Sequence, residues 1–285
     1  MQCTPMPEAS AGRDRPIRSI EVRVPATSAN LGPGFDSMGI ALDLWNDFRL
    51  TLGASHDGIT VVVTGEGEDS LPRDGEHLVL ATLLAELHQA GVAAPTSLRL
   101  ECINEIPSAS GLGSSSSAVV AGLAMAAALI QSARSGRCIG PHEIDLHHVL
   151  SRAVEIEGHG DNVTPAIHGG LQVVYSHGDH YRNRAIPIPP MKVVVCVPNF
   201  AYLTSEARAA LPSTISHADA VFNIGHAMLV VEALRGQDEA LLSDALQDAL
   251  HERYRIPSIP GATAARQAAL DAGASAVCLS GAGPG

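Results

Sequence analysis

Apolar and polar positions alternate through SIEVRVP, where Glu21 and Arg23 separate Ile20, Val22 and Val24. A period of two predicts a half-buried strand. FRLTL and ITVVV repeat the pattern on either side of the turn-forming GASHDG, so the chain is expected to open with antiparallel strands. The period then lengthens. In HLVLATLLAELHQAG, Leu80, Leu83, Leu84 and Leu87 fall at helical spacing, and Gly91 marks the stop. SLRLECI returns to alternation and runs into PSASGLGSSSSA, residues 107–118, followed by a long stretch of small and apolar helix formers. HEIDLHHVLSRAVEIEG predicts a further helix ending at Gly158, DNVTPAIHGG a turn-rich segment, and LQVVYSHGDHYR a hairpin. MKVVVCV reads as a buried strand. Helices are expected near 216–235, 238–250 and 262–273, and SAVCLS as a short strand.

These elements predict an α+β protein of two domains. A disordered extension at 1–18 precedes an N-terminal mixed α/β domain at 19–190, closed near Pro189 and Pro190, and a C-terminal α+β sandwich at 191–285. Neither a repeat nor a coiled-coil heptad interrupts the series.

Charge narrows the partners. The 285 residues carry a formal net charge of −12, which argues against a nucleic-acid or anionic-membrane footprint and favours a small-molecule substrate. The first residues lack the unbroken apolar segment of a secretory signal, and the run from Ala118 to Ile130 is too short to span a bilayer, so a cytoplasmic protein is expected. Cys3, Cys102, Cys138, Cys196 and Cys278 form no CxxC pair and read as reduced, packing thiols. Thirteen histidines include no HExxH, and no transition-metal site is predicted.

The order strand, glycine loop, helix at 97–133 carries the chemistry. A helix N-terminus presents unpaired N–H groups and about half a positive charge, so phosphate is its natural guest. A Walker A loop needs a lysine, yet Lys192 is the only one in the chain. Backbone N–H groups and serine hydroxyls must therefore do the cradling. No GxSxG is formed, which disfavours a nucleophile elbow.

PSASGLGSSSSA resembles the PxxxGLGSSAA phosphate loop of the GHMP kinases, the small-molecule kinases named for galactokinase, homoserine kinase, mevalonate kinase and phosphomevalonate kinase. VPATSANLGPGFDSMGIALD (24–43) is similar to their N-terminal motif in its homoserine kinase form, and LSGAGPG (279–285) to their C-terminal glycine motif. EGHGDNVTPAIHGG (157–170) and TSEARAALP (204–212) resemble two further homoserine kinase segments. Five motifs stand in the expected order from about residue 20 onwards.

The resemblance implies a two-domain GHMP fold and ATP-dependent phosphorylation of the L-homoserine hydroxyl, on the route to threonine. It places triphosphate on Pro107, Ser110, Gly111, Leu112, Gly113, Ser114, Ser115, Ser116 and Ser117. Mg²⁺ is expected on the Ser115 hydroxyl and the Glu155 carboxylate, with Glu157 as competitor for the second place. Asn30 and Asp36 would face the amino end of the substrate, Arg208 and Arg255 its carboxylate, with Gly281 beside it and Arg253 competing for the second arginine role. Asn162 would meet the hydroxyl to be phosphorylated. Asp161 is assigned to orientation, since a loose phosphoryl-transfer transition state asks mainly for positioning and charge neutralisation.

Several positions depart from the family pattern. Gly160 and Thr164 replace a proline and an alanine, and Ser116 and Ser117 replace alanines. Family members continue beyond the motif at 279–285 with a helix and strand. The chain is therefore expected either to be an incomplete version of a longer enzyme or to cover the open sheet in a homodimer. Two alternatives to homoserine kinase stay open: another GHMP kinase of mevalonate-pathway type, and a non-catalytic binder on the same fold.

Overall fold

The computed structural model describes residues 17–53, 58–178 and 180–285, so most of the expected N-terminal extension lies outside the described residues. The described residues form two compact units interleaved in sequence: those within 1–26, 43–107 and 115–158 make the first, and those within 27–42, 108–114 and 159–285 the second.

In the first unit, β1 (Ser19–Ala29) pairs with β2 (Met38–Leu52). The later part of β2 runs antiparallel to β4 (Ser97–Asn104), with Asn46 opposite Asn104 and Leu52 opposite Leu98. β3 (Gly58–Gly65) is parallel to β4, not antiparallel as its spacing suggested. Parallel neighbours need a crossover, and α1 (Leu78–Gln89) supplies it. Leu80, Leu83 and Leu87 of α1, Leu98 and Leu100 of β4, and Val119, Val120 and Met125 of α2 (Ser114–Ser135) are buried together in the core. A Cβ on Gly122 would stand 2.5 Å from the Val79 carbonyl, so only glycine lets α2 pass that backbone. α2 is long and apolar enough to cross a membrane, but 67% of its apolar window is buried inside the protein. Core packing accounts for its composition.

The helix expected from His142 starts later. Residues 141–143 form a single 3₁₀ turn, and α3 (Leu146–Glu157) begins after Asp145, whose carboxylate accepts the backbone N–H groups of His147 and His148. Gly158 closes α3 in the left-handed conformation.

In the second unit, the first residues of β2 pair antiparallel with β5 (Leu171–His177), Met38 facing Val173. β5 and β6 (His180–Ile186) form the expected hairpin. The segment expected as turns contains a short helix, α4 (Val163–His168). Five more follow: α5 (Thr204–Ala209), α6 (His217–Gly236), α7 (Glu239–Ala245), α8 (Glu252–Arg255) and α9 (Ala262–Asp271). Leu31, Met38, Ile40, Leu171, Val230, Leu234 and Leu246 form the core. α7 stops before the expected 250 because the Asp248 carboxylate takes the backbone N–H groups of Leu250, His251 and Glu252.

Two expected strands are corrected. Residues 191–197 and 275–280 contain no strand among the described residues. A strand exists only through a ladder partner, and neither segment has one; Val194 is 87% exposed. Ala276 and Cys278 instead pack by their side chains against the core cluster. In place of a sandwich, 191–285 is helical and irregular.

Candidate active site

The start of α2 places three serine side chains in two environments. Ser115 and Ser116 both donate to Glu157 Oε2, at 3.2 and 2.9 Å. The Ser117 hydroxyl is turned into the core, where Asn46 Nδ2 donates to it at 3.0 Å. Asn46 Oδ1 in turn accepts the backbone N–H groups of Glu105 and Ile106 at 2.9 and 3.0 Å. One buried amide thus fixes the chain that leads into the loop and the first turn of α2.

Glu155 sits elsewhere. It pairs with Arg152, which also binds Glu86 at 2.6 Å and Gln89 at 2.9 Å. Two residues apart on a helix point roughly 200° from each other, so α3 can aim only one of its glutamates at α2. That glutamate is Glu157. Arg152 holds the Glu155 carboxylate, and Ser115 lies against Glu157.

Within the second unit, Gly111 (φ 78°) and Gly113 (φ 71°) hold the loop in left-handed conformations. The Thr27 N–H donates to Leu112 O at 3.0 Å and the Ser280 hydroxyl to Gly111 O at 2.8 Å. A Cβ on Gly113 would come within 2.2 Å of Thr27 Oγ1 and 3.3 Å of Asn162 Oδ1. The loop and Asn162 are therefore neighbours. Thr27 Oγ1 donates to Asn162 Oδ1 at 2.8 Å and so orients that amide. Asp161 Oδ1 is already engaged, by His159 Nδ1 at 2.7 Å and by the Asn162 N–H at 3.1 Å.

The same unit carries paired charges. Arg208 forks onto Asp36, Nη2 to Oδ1 at 2.8 Å and Nη1 to Oδ2 at 3.1 Å. Those hydrogen bonds raise the Arg208 guanidinium above its ordinary value. Asn30, Leu31 and Asp36 all take positive φ (69°, 47° and 53°), which is strained for residues other than glycine. Hydrogen bonds hold the loop in that shape: Asn30 Oδ1 accepts the Asp36 N–H at 2.9 Å, and Asn30 Nδ2 donates to Gly281 O at 2.8 Å.

Arg255 is almost fully buried, and its Nε donates to Ala207 O at 3.3 Å. Its Nη1 reaches Gly281 O and His251 Nδ1, each at 3.2 Å. Burial, and after it the Arg208 charge, lowers its guanidinium from the ordinary value, while Asp36 and Asp161 act the other way. Arg253 is exposed and forks onto Asp219 at 2.9 and 3.1 Å, so it does not share this environment. Both arginines lie against the Phe35 ring, the Arg208 guanidinium carbon 5.9 Å and the Arg255 one 5.3 Å from its centroid.

Asn46 in the first unit, and Thr27, Phe35 and His251 in the second, hold these residues in place and were not singled out in the sequence. Thr27 and Phe35 lie inside the 24–43 motif, and His251 stands one helical turn before Arg255, the only local signals they give.

The family model for the GHMP kinases N terminal domain matches residues 77–170, and that for GHMP kinases C terminal matches 230–285. The homoserine kinase of Cutibacterium acnes is 42% identical over 268 residues, covering 93% of this chain and 87% of that protein. That of Moorella thermoacetica is 39% identical over 264 residues, covering 92% and 84%. Among solved structures, homoserine kinase from Cytophaga hutchinsonii superposes with a TM-score of 0.74 at 29% identity, covering 94% of this chain and 84% of that one. Mevalonate kinase from L. major, at a TM-score of 0.63 and 13% identity over 93% and 84%, shares the fold.

Proposed function

The chain belongs to the homoserine kinase family of the GHMP kinases, and on that premise we propose how its residues phosphorylate the side-chain hydroxyl of L-homoserine with ATP. The product is O-phospho-L-homoserine, on the route to threonine, and the setting is the cytoplasm.

The observation that carries the substrate assignment is the Asp36–Arg208 pair with Arg255 close by. An α-amino acid at neutral pH is a zwitterion, so its site must offer an anion and a cation within the length of one small molecule. Asp36 supplies the first. Arg208 and Arg255 supply the second, in the forked geometry that suits a carboxylate. A neutral ligand entering the same site leaves these charges without a compensating partner.

The triphosphate is assigned to Gly111–Gly113 and the N–H groups at the start of α2. Asn162, oriented by Thr27 next to Gly113, is assigned to the acceptor hydroxyl. With its Oδ1 held by His159 and by backbone, Asp161 serves best as the anchor that presents Asn162, in keeping with a reaction that depends on positioning more than on a strong base.

Mg²⁺ fits the Ser115 hydroxyl with the Glu157 carboxylate, both hard oxygen donors that already approach within 3.2 Å. One carboxylate and one hydroxyl are a sufficient protein share for an ion that also takes phosphate oxygens and water. When bound, Mg²⁺ neutralises charge on the phosphates during transfer.

The test is ADP release in Mg-ATP with a panel of hydroxylated metabolites. L-homoserine is expected to give turnover well above that with mevalonate or galactose. Comparable turnover of mevalonate overturns the assignment of the charged pair to an amino acid.

A further inference from the structure

Gly281 O accepts from both Asn30 Nδ2 at 2.8 Å and Arg255 Nη1 at 3.2 Å, and Arg255 Nη1 also reaches His251 Nδ1 at 3.2 Å. His251 Nε2 meets Gly32 O at 2.9 Å, two residues from Asn30. The contacts close into a ring: Asn30, Gly281, Arg255, His251, Gly32 and back along the chain. One side of the ring carries the strained loop of Asn30 and Asp36, and the other carries Arg255.

The tautomer of His251 follows from its partners. A guanidinium only donates, so Nδ1 must accept; a carbonyl only accepts, so Nε2 must carry the proton. Neutral imidazole with its proton on Nε2 satisfies both contacts. His251 is fully buried, and its ring stacks on Phe35 at 5.3 Å between centroids. The Asp248 carboxylate fixes its backbone, accepting the His251 N–H at 2.7 Å, and stands 3.9 Å from Nε2. Asn223 secures the other side, donating to both Asp248 Oδ1 at 2.7 Å and Pro33 O at 3.2 Å.

We propose that His251 is a positioning residue for the amino acid: as neutral imidazole it clasps Arg255 and the Gly32 carbonyl together and so sets the separation between the substrate's carboxylate and ammonium partners. The inference rests on the assignment of Asp36 and Arg255 to the two ends of homoserine. His251 touches no substrate atom itself. Its effect is on how well one ligand's two charges are matched, so it acts on homoserine recognition and leaves nucleotide recognition alone.

Two variants separate the donor–acceptor role from packing. His251→Phe keeps the ring against Phe35 and removes both hydrogen bonds. His251→Gln restores one donor and one acceptor on a planar amide. The loss of a bond to a charged, buried group predicts that His251→Phe raises the homoserine KM by about tenfold or more. The KM for ATP should hold within about twofold, kcat should fall less than the homoserine KM rises, and His251→Gln should recover most of the loss. An unchanged homoserine KM in folded His251→Phe overturns the proposal, and so does an equal decline in the homoserine and ATP parameters. If His251→Phe does not fold, His251→Asn replaces it, since its shorter amide cannot reach both partners; equal homoserine KM values for the Asn and Gln variants then overturn the proposal. Arg255→Ala is measured alongside. An unaffected homoserine KM there shows that the reading of Arg255 fails, whereas a raised value beside a silent His251→Phe shows that only the clasp fails.

Discussion

Arg208 and Asp36, 172 residues apart in sequence, meet as a two-pronged ion pair at 2.8 and 3.1 Å. In this arrangement each group satisfies the other, and an incoming zwitterion offers each a replacement of the right sign. On the proposed assignment, the pair is a template for the charges of an amino acid.

Removing one half of that template should be costly and selective. Arg208→Ala is expected to lower kcat/KM for homoserine by about 10- to 150-fold, the equivalent of one charge-assisted bond of ~1.5–3 kcal/mol, with the KM for ATP unaltered. Arg208→Lys should recover little, because an ammonium cannot fork. Steady-state kinetics with each substrate varied in turn checks both. A Lys variant equal to the parent would show that charge alone suffices.

Glu157→Gln keeps shape but removes the anion beside Ser115, so the Mg²⁺ concentration for half-maximal rate should rise and kcat should fall. Glu155→Gln, which loses only a pairing with Arg152, should be near neutral. Magnesium titrations of the two variants decide between them, and the opposite ranking returns the metal to Glu155.

Asn46 has no assigned contact with substrate, yet Asn46→Leu strands the N–H groups of Glu105 and Ile106. Leaving buried donors unpaired costs about 1–3 kcal/mol each, so the melting temperature should drop, and the ATP KM should rise as the loop loses its anchor. A lowered melting temperature with unchanged ATP KM would confine Asn46 to stability.

Gly113→Ala tests how closely the loop is fitted. The position has φ 71°, and the added methyl would press on Thr27 Oγ1, which orients Asn162. A loss of kcat by about a hundredfold or more is expected in folded protein, since misplacement by an ångström costs that much. Near-normal kcat would show that the loop and Asn162 are less tightly coupled than their spacing indicates.

Acid should loosen the second unit through Asp248. Burial alone would raise this carboxyl, but the hydrogen bonds it accepts from Asn223 and from the backbone N–H groups of His251 and Glu252 act the other way, and the carboxyl lies below its ordinary 3.8. A depressed carboxylate contributes stability that is complete above the ordinary value and is lost as pH falls through the depressed one. Glu252 has the opposite sign: burial raises its carboxyl above the ordinary 4.5, so its contribution is present below that value and lost as pH climbs through the raised one. Melting curves of Asp248→Asn between pH 7 and pH 3 should show a shallower acid decline than the parent. Parallel curves would remove Asp248 from the account.

The local parts of this structure were legible before folding. Glycines, serines and the apolar run that follows specify a loop opening a helix, because every determinant lies within 30 residues of sequence. The same reading named Glu155 with Glu157 as its competitor; which of the two faces Ser115 depends on the rotational phase of α3 against α2. It could not produce the ring around Gly281, whose bond to Asn30 joins positions 251 apart. Resemblance supplied Asn30, Asp36, Arg208, Arg255 and Gly281, while their supports, His251 and Asn223, gave no pattern of their own. MKVVVCV failed for a different reason: an unbroken, β-branched apolar run describes a willing strand, and a strand still needs a neighbour.

The chain passes between its two compact units five times, at 26/27, 42/43, 107/108, 114/115 and 158/159. No single cut can therefore release either unit as one continuous piece. A gene fragment ending after residue 158 would carry all three segments of the first unit but strand 27–42 and 108–114 without the 159–285 segment they fold with. Such a fragment should survive poorly alone and regain order when the 159–285 fragment is supplied in trans. The same threading makes long-range closure unavoidable, which slows folding. It also closes a route open to proteins with beaded domains: recombination at one boundary cannot lend this phosphate loop to a new acceptor site, so a change of substrate has to come by substitution within the existing chain.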